Sequence, residues 1–149
     1  MTEIREMKKE DCQDVWNLQK QCFSVPWSLE SLEDMFRVEG YTSLVASDGC
    51  EIIGYIGMKA VFDEADITNV AVSPVMRKKG IGKQLIQQLL IRADQKQINR
   101  IFLEVRVSNE AAICLYQNAG FKEIDRRKGY YEKPREDAFI MVWENTNSY

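Results

Sequence analysis

The chain has 149 residues, of which 45% are hydrophobic and 29% charged. That is the balance of a folded domain, long enough to bury a core without disulfide or metal staples, and it argues against disorder. A net charge of −3 confines any contact with duplex nucleic acid or an anionic membrane to a local patch, and with no histidine anywhere a Ser-His-Asp system or a His-ligated metal is excluded.

The longest run without a charge, residues 111–121, has 11 residues, short of the roughly 18 that a membrane span needs. Residues 1–10 alternate in charge and hold no apolar signal-peptide core. A soluble cytoplasmic protein with no membrane or nucleic-acid partner is therefore expected. Cys12, Cys22, Cys50 and Cys114 show no C-x-x-C spacing, so they are expected to be reduced, buried small hydrophobes and no metal site is expected. Acid–base chemistry is left to carboxylates, Tyr, Lys or a free thiol.

In chain order, a short strand is predicted over 4–7, then a helix from about Asp11 with Val15, Leu18 and Cys22 at helical spacing. Pro26-Trp27-Ser28 breaks it. Ser28 is a good N-cap for a second helix in which Leu29, Leu32 and Phe36 share a face, with Trp27 stapled on Leu32. Asp48-Gly49 between the apolar runs 44–46 and 52–56 predicts a hairpin. A third strand, 67–72, stops at Ser73-Pro74. Ile81, Leu85, Leu89 and Ala93 recur every four residues and predict a helix from about Ile81. Residues 101–107 alternate as a strand does, 109–118 read as a helix stopped by Gly120, and strands follow near 121–126 and 138–143. The helix between strands 67–72 and 101–107 implies a right-handed crossover and a parallel pair, and hence a mixed sheet with helices on both faces.

Three constellations carry chemistry. Arg77-Lys78-Lys79-Gly80-Ile81-Gly82-Lys83 lies between a strand and a helix start, where unpaired N–H groups, the positive end of the helix dipole and nearby cations favour a phosphate. It is neither a P-loop nor a dinucleotide fingerprint, since Gln84 follows Lys83 and Leu85 stands where a third small residue belongs. Glu104 alternates with Leu103 and Val105; under a sheet covered on both faces its pKa rises, as a general base requires. A Glu104–Arg106 pair or a solvated face is the alternative. Tyr116 lies on the core-facing side of its helix with Ala112, Leu115 and Ala119, a packing position whose phenol is also able to protonate a departing thiolate. Cys114 points elsewhere and reads as core.

Arg77-x-x-Gly80-x-Gly82 after Asn69-Val70-Ala71-Val72, followed by Asn109-x-x-Ala112-x-x-Leu115-Tyr116-x-x-x-Gly120-Phe121, resembles the GNAT superfamily of N-acetyltransferases over essentially the whole chain. Pro26-Trp27-Ser28, Leu103-Glu104-Val105-Arg106, Arg126-Arg127 with Tyr130-Tyr131, and Arg135-Glu136-Asp137-Ala138 resemble its bacterial ribosomal-protein-alanine N-acetyltransferases (RimI type). The resemblance implies one α/β domain over 1–149, with a mostly antiparallel central sheet, one splayed parallel strand pair and helices on both faces. It implies acetyl transfer from acetyl-CoA to the N-terminal alanine of a small-subunit ribosomal protein. On this likeness Val70, Ala71 and Val72 line the pantetheine arm; Arg77, Lys78, Lys79, Gly80, Ile81, Gly82 and Lys83 hold the pyrophosphate; and Asn109 also touches acetyl-CoA. Glu104 acts as base and Tyr116 as acid, while Trp27, Tyr130 and Tyr131 border the peptide channel.

Two departures from that family are visible: residues 132–135 lack a glycine often present in that loop, and Cys114 stands where a small residue is usual. Asp63, Glu64 and Asp66 form an acidic group that either attracts a basic peptide N-terminus or is a solvated loop. Competing readings are an acetyltransferase for lysine, a polyamine or a small amine, and a non-catalytic acetyl-CoA-binding module. A nucleic-acid reading of Arg126-Arg127-Lys128 gives way to a solvated strand edge.

Overall fold

The computed structural model describes residues 2–146; the ends of the expected 1–149 domain, Met1 and 147–149, lie outside the described residues. The elements are β1 (Thr2–Glu6), α1 (Cys12–Cys22), α2 (Leu29–Asp34), β2 (Tyr41–Asp48), β3 (Glu51–Val61), β4 (Glu64–Val72), α3 (Ile81–Gln95), β5 (Arg100–Arg106), α4 (Glu110–Asn118), β6 (Lys122–Tyr131) and β7 (Glu136–Glu144). The predicted order holds throughout. The strand predicted at 4–7 instead spans Thr2–Glu6, because its start is fixed by pairing of Thr2 with Asp48. The strand predicted at 121–126 runs on to Tyr131. Its residues are almost all exposed, so no apolar period marked it; the ladder to β7 holds it instead.

Local chemistry sets the boundaries. Ser28 caps α2 by accepting from the Ser31 N–H at 3.1 Å. The helix ends at Asp34, which leaves Phe36 beyond it and 42% exposed rather than on the buried face with Leu32. Gly49 turns the β2–β3 hairpin with φ +66°, and Asp48 faces Glu51 across it. After α4 the Phe121 N–H reaches the Tyr116 carbonyl at 3.0 Å and the Gly120 N–H reaches that of Gln117 at 3.0 Å. This is a Schellman motif closed by Gly120 at φ +104°, and it brings the rings of Tyr116 and Phe121 to 5.8 Å.

The seven strands form one sheet in the order β1-β2-β3-β4-β5-β7-β6, with β4–β5 its one parallel pair. Alternation sends Leu44, Ala46 and Ile56 into a core under α3 and α4, and Val45 and Tyr55 into a second core under α1 and α2. The parallel pairing is short: only Glu64–Arg100, Ala65–Ile101 and Asp66–Phe102 are in register. Beyond them β5 stays bound to β7 and β4 to β3, so β4 and β5 part. A bulge opposite Gly57 and Met58 leaves Thr68 as the extra residue of β4. A Cβ on Gly57 would collide with the Tyr55 hydroxyl and lie 2.8 Å from Thr68 Oγ1, so only glycine fits.

The four cysteines are free thiols as expected, but only one of them is buried. Cys12 is buried, Cys22 is half-buried, and Cys50 and Cys114 are exposed. Cys114 lies on the outer face of α4, where its sulfur accepts from Asn118 Nδ2 at 3.6 Å. Reading it as core was wrong because helix periodicity locates a face, not the neighbour that covers it.

Candidate active site

The parting of β4 from β5 leaves backbone groups of β4 outside any strand ladder. The Ser73 N–H donates to the Ile53 carbonyl at 2.8 Å, so Ala71 and Ser73 turn their polar groups towards β3 while Val70 and Val72 turn theirs into the gap. The Val72 carbonyl there accepts from the Cys22 thiol at 3.3 Å and from Arg77 Nε at 3.4 Å.

At the end of the gap lies the start of α3. Gly80 is its N-cap at φ +79° and offers no side-chain cap, so the first-turn N–H groups remain open to an anion. Arg77, Lys78 and Lys79 are exposed around them. The two glycines do different work. A Cβ on Gly80 would meet nothing within 4 Å, so its role is the left-handed turn; one on Gly82 would lie 3.2 Å from Leu115 Cδ2, so its role is to let α4 pack closely. Ile81 is buried at 3% exposure and offers the loop only its backbone. Lys83 and Leu115 belong to a cavity of about 170 Å³ between α3 and α4. Asn109 caps α4, its Oδ1 accepting from the Ala112 N–H at 3.2 Å, which leaves its amide NH₂ free.

Glu104 and Tyr116 belong to opposite faces of the sheet. Glu104 projects from β5 away from Leu103 and Val105, which face α3, whereas Tyr116 comes from α4 on the α3 side. The β4–β5 gap separates β5 from β4 beyond Asp66 and Phe102. Burial raises the Glu104 pKa, the Asp66 carboxylate raises it further, and Arg127 acts in the opposite sense. The Glu104–Arg106 pair considered above does not form. Arg106 instead bonds Glu136 at 3.2 Å and the carbonyls of Pro134 at 2.9 Å and Glu132 at 3.3 Å, and it stacks on Tyr131 at 4.3 Å. Among the described residues no lysine or arginine lies within ion-pair distance of Glu104.

Tyr116 is 7% exposed, and burial followed by the neighbouring Tyr131 drives its pKa well up. Its phenol is therefore protonated at neutral pH. Tyr131 bridges the two groups electrostatically: burial first, then Glu104 and Tyr130, push its own pKa up to about 12.

The acceptor side is assembled from distant loops. Trp27 packs on the α1–α2 core, its backbone N–H donating to Gln19 Oε1 at 3.2 Å. Tyr130 and Tyr131 meet edge to face with centroids 5.0 Å apart. Ser24 Oγ donates to the Lys133 carbonyl at 3.0 Å and so joins the α1–α2 loop to the β6–β7 loop. Where the family glycine is missing, Lys133 itself adopts the left-handed conformation at φ +55°. Arg106 and Ser24 were not singled out from sequence: Arg106 had only its place on the Glu104 face, and Ser24 had no signal at all. A wider cavity of about 400 Å³, between α1 and the β2–β3 turn, contains none of the predicted side chains except by proximity of Ser73 to Val72.

The model of the acetyltransferase (GNAT) family matches residues 12–121. The ribosomal protein bS18-alanine N-acetyltransferase of Haemophilus influenzae is 35% identical over 145 residues, covering 95% of this chain and 98% of that protein. The Escherichia coli K12 protein of the same description is 30% identical over 144 residues, covering 95% and 97%. The crystal structure of the ribosomal-protein-S18-alanine N-acetyltransferase from Escherichia coli superposes with a TM-score of 0.90 at 29% identity, covering 100% of this chain and 99% of that one.

Proposed function

Because this chain belongs to the GNAT family of acetyltransferases, we propose that it acetylates the N-terminal α-amino group of a ribosomal protein, bS18 beginning with alanine. It does so as one domain, in the cytoplasm, with acetyl-CoA as donor. Among the described residues no helix is long and apolar enough to cross a membrane. The observation that carries this reading is the β4–β5 gap, with β4 backbone outside any ladder along one side, a glycine-turned helix start at its end, and Glu104 and Tyr116 approaching from opposite faces.

These residues fit acetyl-CoA. The Val70 polar groups and the Val72 N–H suit the amides of the pantetheine arm beside Ala71, and the N–H groups from Gly80 to Lys83 with the Arg77, Lys78 and Lys79 cations suit a diphosphate. The Asn109 amide NH₂ adds a donor at the same end. When bound, acetyl-CoA supplies an acyl group activated as a thioester. An α-amino group has a pKa of about 7.7–8.0 and is mostly protonated at neutral pH. Glu104, kept basic by burial and by Asp66, takes that proton; Tyr116 Oη holds the proton that the departing sulfur takes up. Trp27, Tyr130 and Tyr131 border the channel that admits the peptide.

The test is mass spectrometry of bS18 N-termini from cells with and without the gene, alongside thiol release by the pure protein with an alanine-initiated peptide. Loss of the N-terminal acetyl group in the deletion strain, with thiol release in vitro, is the expected outcome. Acetylation of lysine side chains in an N-terminally blocked peptide, with no action on the α-amine, would overturn it.

A further inference from the structure

Three buried side-chain polar atoms have no hydrogen-bond partner among the described residues: Gln19 Nε2, Thr68 Oγ1 and Asn69 Oδ1. Two of them have a local account. Gln19 is held in the α1–α2 region by its other polar atom, Oε1, which accepts from the Trp27 backbone. Thr68 is the extra residue of the β4 bulge, and its hydroxyl lies in the same space above Gly57 as the Tyr55 hydroxyl. Asn69 has no such account. A buried acceptor left without a donor costs more than an ordinary hydrogen bond gains, and in folded proteins such atoms are few.

The bulge decides where Asn69 points. Asp66 is in register with Phe102. From there Glu104 is two residues on along β5, whereas Asn69 is three residues on along β4, because Thr68 is inserted. The two therefore stand level where the strands part. They also share a face. Asn69 pairs with Gly57, two residues from Tyr55 on β3, and both Tyr55 and its partner Ala71 belong to the α1–α2 core. Glu104 lies on that same side of the sheet, opposite to Leu103 and Val105. Regular alternation from Asp66 would send residue 69 to the α3 side; the inserted residue reverses it.

A neutral primary amine has two N–H groups and one lone pair. Attack on the thioester requires the lone pair to aim at the carbonyl carbon, so the N–H groups need acceptors elsewhere. The titratable groups acting on Glu104 and its surroundings are Asp66 from β4 and Arg127, Tyr130 and Tyr131 from β6. The Asn69 amide adds an oxygen that stays neutral, so it takes an N–H without competing for the proton.

We propose that Asn69 orients the acceptor amine, its Oδ1 accepting one N–H while the nitrogen lone pair faces the thioester. The inference rests on the α-amine acetylation reading and adds a residue to that site. Glu104 takes one proton of the ammonium group. The N–C bond forms, the C–S bond breaks, and the sulfur leaves with the electron pair and takes the Tyr116 proton. The nitrogen releases a second proton to water, from which the phenol is restored, and keeps the third in the amide. Asn69 is chemically unchanged throughout.

The experiment measures kcat, peptide KM and acetyl-CoA affinity of the full-length protein on one alanine-initiated peptide across a pH series. Asn69→Leu keeps the side-chain size and removes the acceptor. Its kcat is expected to fall about tenfold, the upper worth of an ordinary hydrogen bond, with acetyl-CoA affinity by calorimetry and thermal stability undiminished. The loss should persist at alkaline pH, where a missing base no longer matters. Asn69→Asp keeps the oxygen, so its kcat should recover towards wild type at alkaline pH, while the added carboxylate disfavours the Glu104 charge and moves the acid limb to higher pH. Should Asn69→Leu not fold, Asn69→Ala supplies the same comparison. Wild-type kcat without the acceptor, or a loss that Asn69→Asp does not recover, overturns the proposal. So does weakened acetyl-CoA binding with kcat intact, which would assign Asn69 to the pantetheine arm. In each of these outcomes wild type still acetylates the peptide and the enzymatic reading stands; a wild type inactive on α-amines overturns that reading, and this inference with it.

Discussion

The two sides of the β4–β5 gap are built on different principles. The α3 side is one continuous segment, Val70 to Lys83, whose proposed binding groups are mostly backbone: polar groups of β4 outside any ladder and the N–H groups of the first turn of α3, set by the left-handed Gly80. The opposite side gathers Trp27 and Ser24 from the α1–α2 loop, Asp66 from β4, Glu104 and Arg106 from β5, and Tyr130, Tyr131 and Lys133 from the β6–β7 hairpin. Backbone recognition spreads binding over many equivalent groups, so single side chains there matter little. Side-chain recognition concentrates it, so one substitution on the far side, or at the two groups that meet in the gap, costs far more.

That contrast predicts a ranking. Tyr116→Phe removes the phenol that α4 supplies, and kcat is expected to fall about 100-fold or more, in the range of general acid catalysis, with acetyl-CoA affinity by calorimetry unchanged. Unaltered turnover would remove Tyr116 from the reaction. Glu104→Gln is expected to cost about tenfold to a hundredfold near neutral pH, and the deficit should narrow as pH passes the α-amine pKa of about 7.7–8.0, where the acceptor needs no base. In wild type the Glu104 carboxyl titrates above the usual carboxylate range, because burial and then Asp66 disfavour its charge. Activity must therefore decline as pH falls through that raised value, and Asp66→Asn should move this acid limb to lower pH in a kcat/KM profile.

On the backbone-built side the effects shrink. Arg77→Ala leaves the α3 N–H groups in place, and a screened surface charge near a helix start is worth about 0.3–1 kcal/mol, so the KM for acetyl-CoA should rise no more than about fivefold. A loss of hundredfold would show that side chains rather than backbone dominate there. The smallest change is Ser24→Ala, which removes one exposed bond between the two acceptor loops. Peptide KM should rise about twofold to fivefold, the worth of one ordinary hydrogen bond, with acetyl-CoA KM unmoved.

Much of this architecture can be read along the chain. Helix caps at Ser28 and Asn109, the Asp48-Gly49 turn and the four-residue apolar spacing of α3 are local signals, and each falls where the structure has it. The glycine turn before α3 is local too, although Gly82 proves to serve the contact with Leu115 rather than an open approach. The extent of β6 escaped because an edge strand with both faces exposed carries no apolar period. The Cys114 position escaped because exposure depends on what packs above a helix. The roles of Arg106 and Ser24 escaped because their partners are 26–30 and 109 residues away.

Strand and helix order, turn positions and the contiguous glycine-turned bend before α3 follow from neighbours within a few residues, where steric preference and hydrogen-bonding geometry act without knowledge of the rest of the fold. Whether Glu104 would pair with Arg106, which face of the sheet Tyr116 would occupy, and that Arg106 would turn to Glu136 and Tyr131 depended on non-local packing. Those outcomes arise because β4 pairs with β5 for only three residues while β7 draws β5 away, and no short-range preference in either strand encodes where two ladders compete.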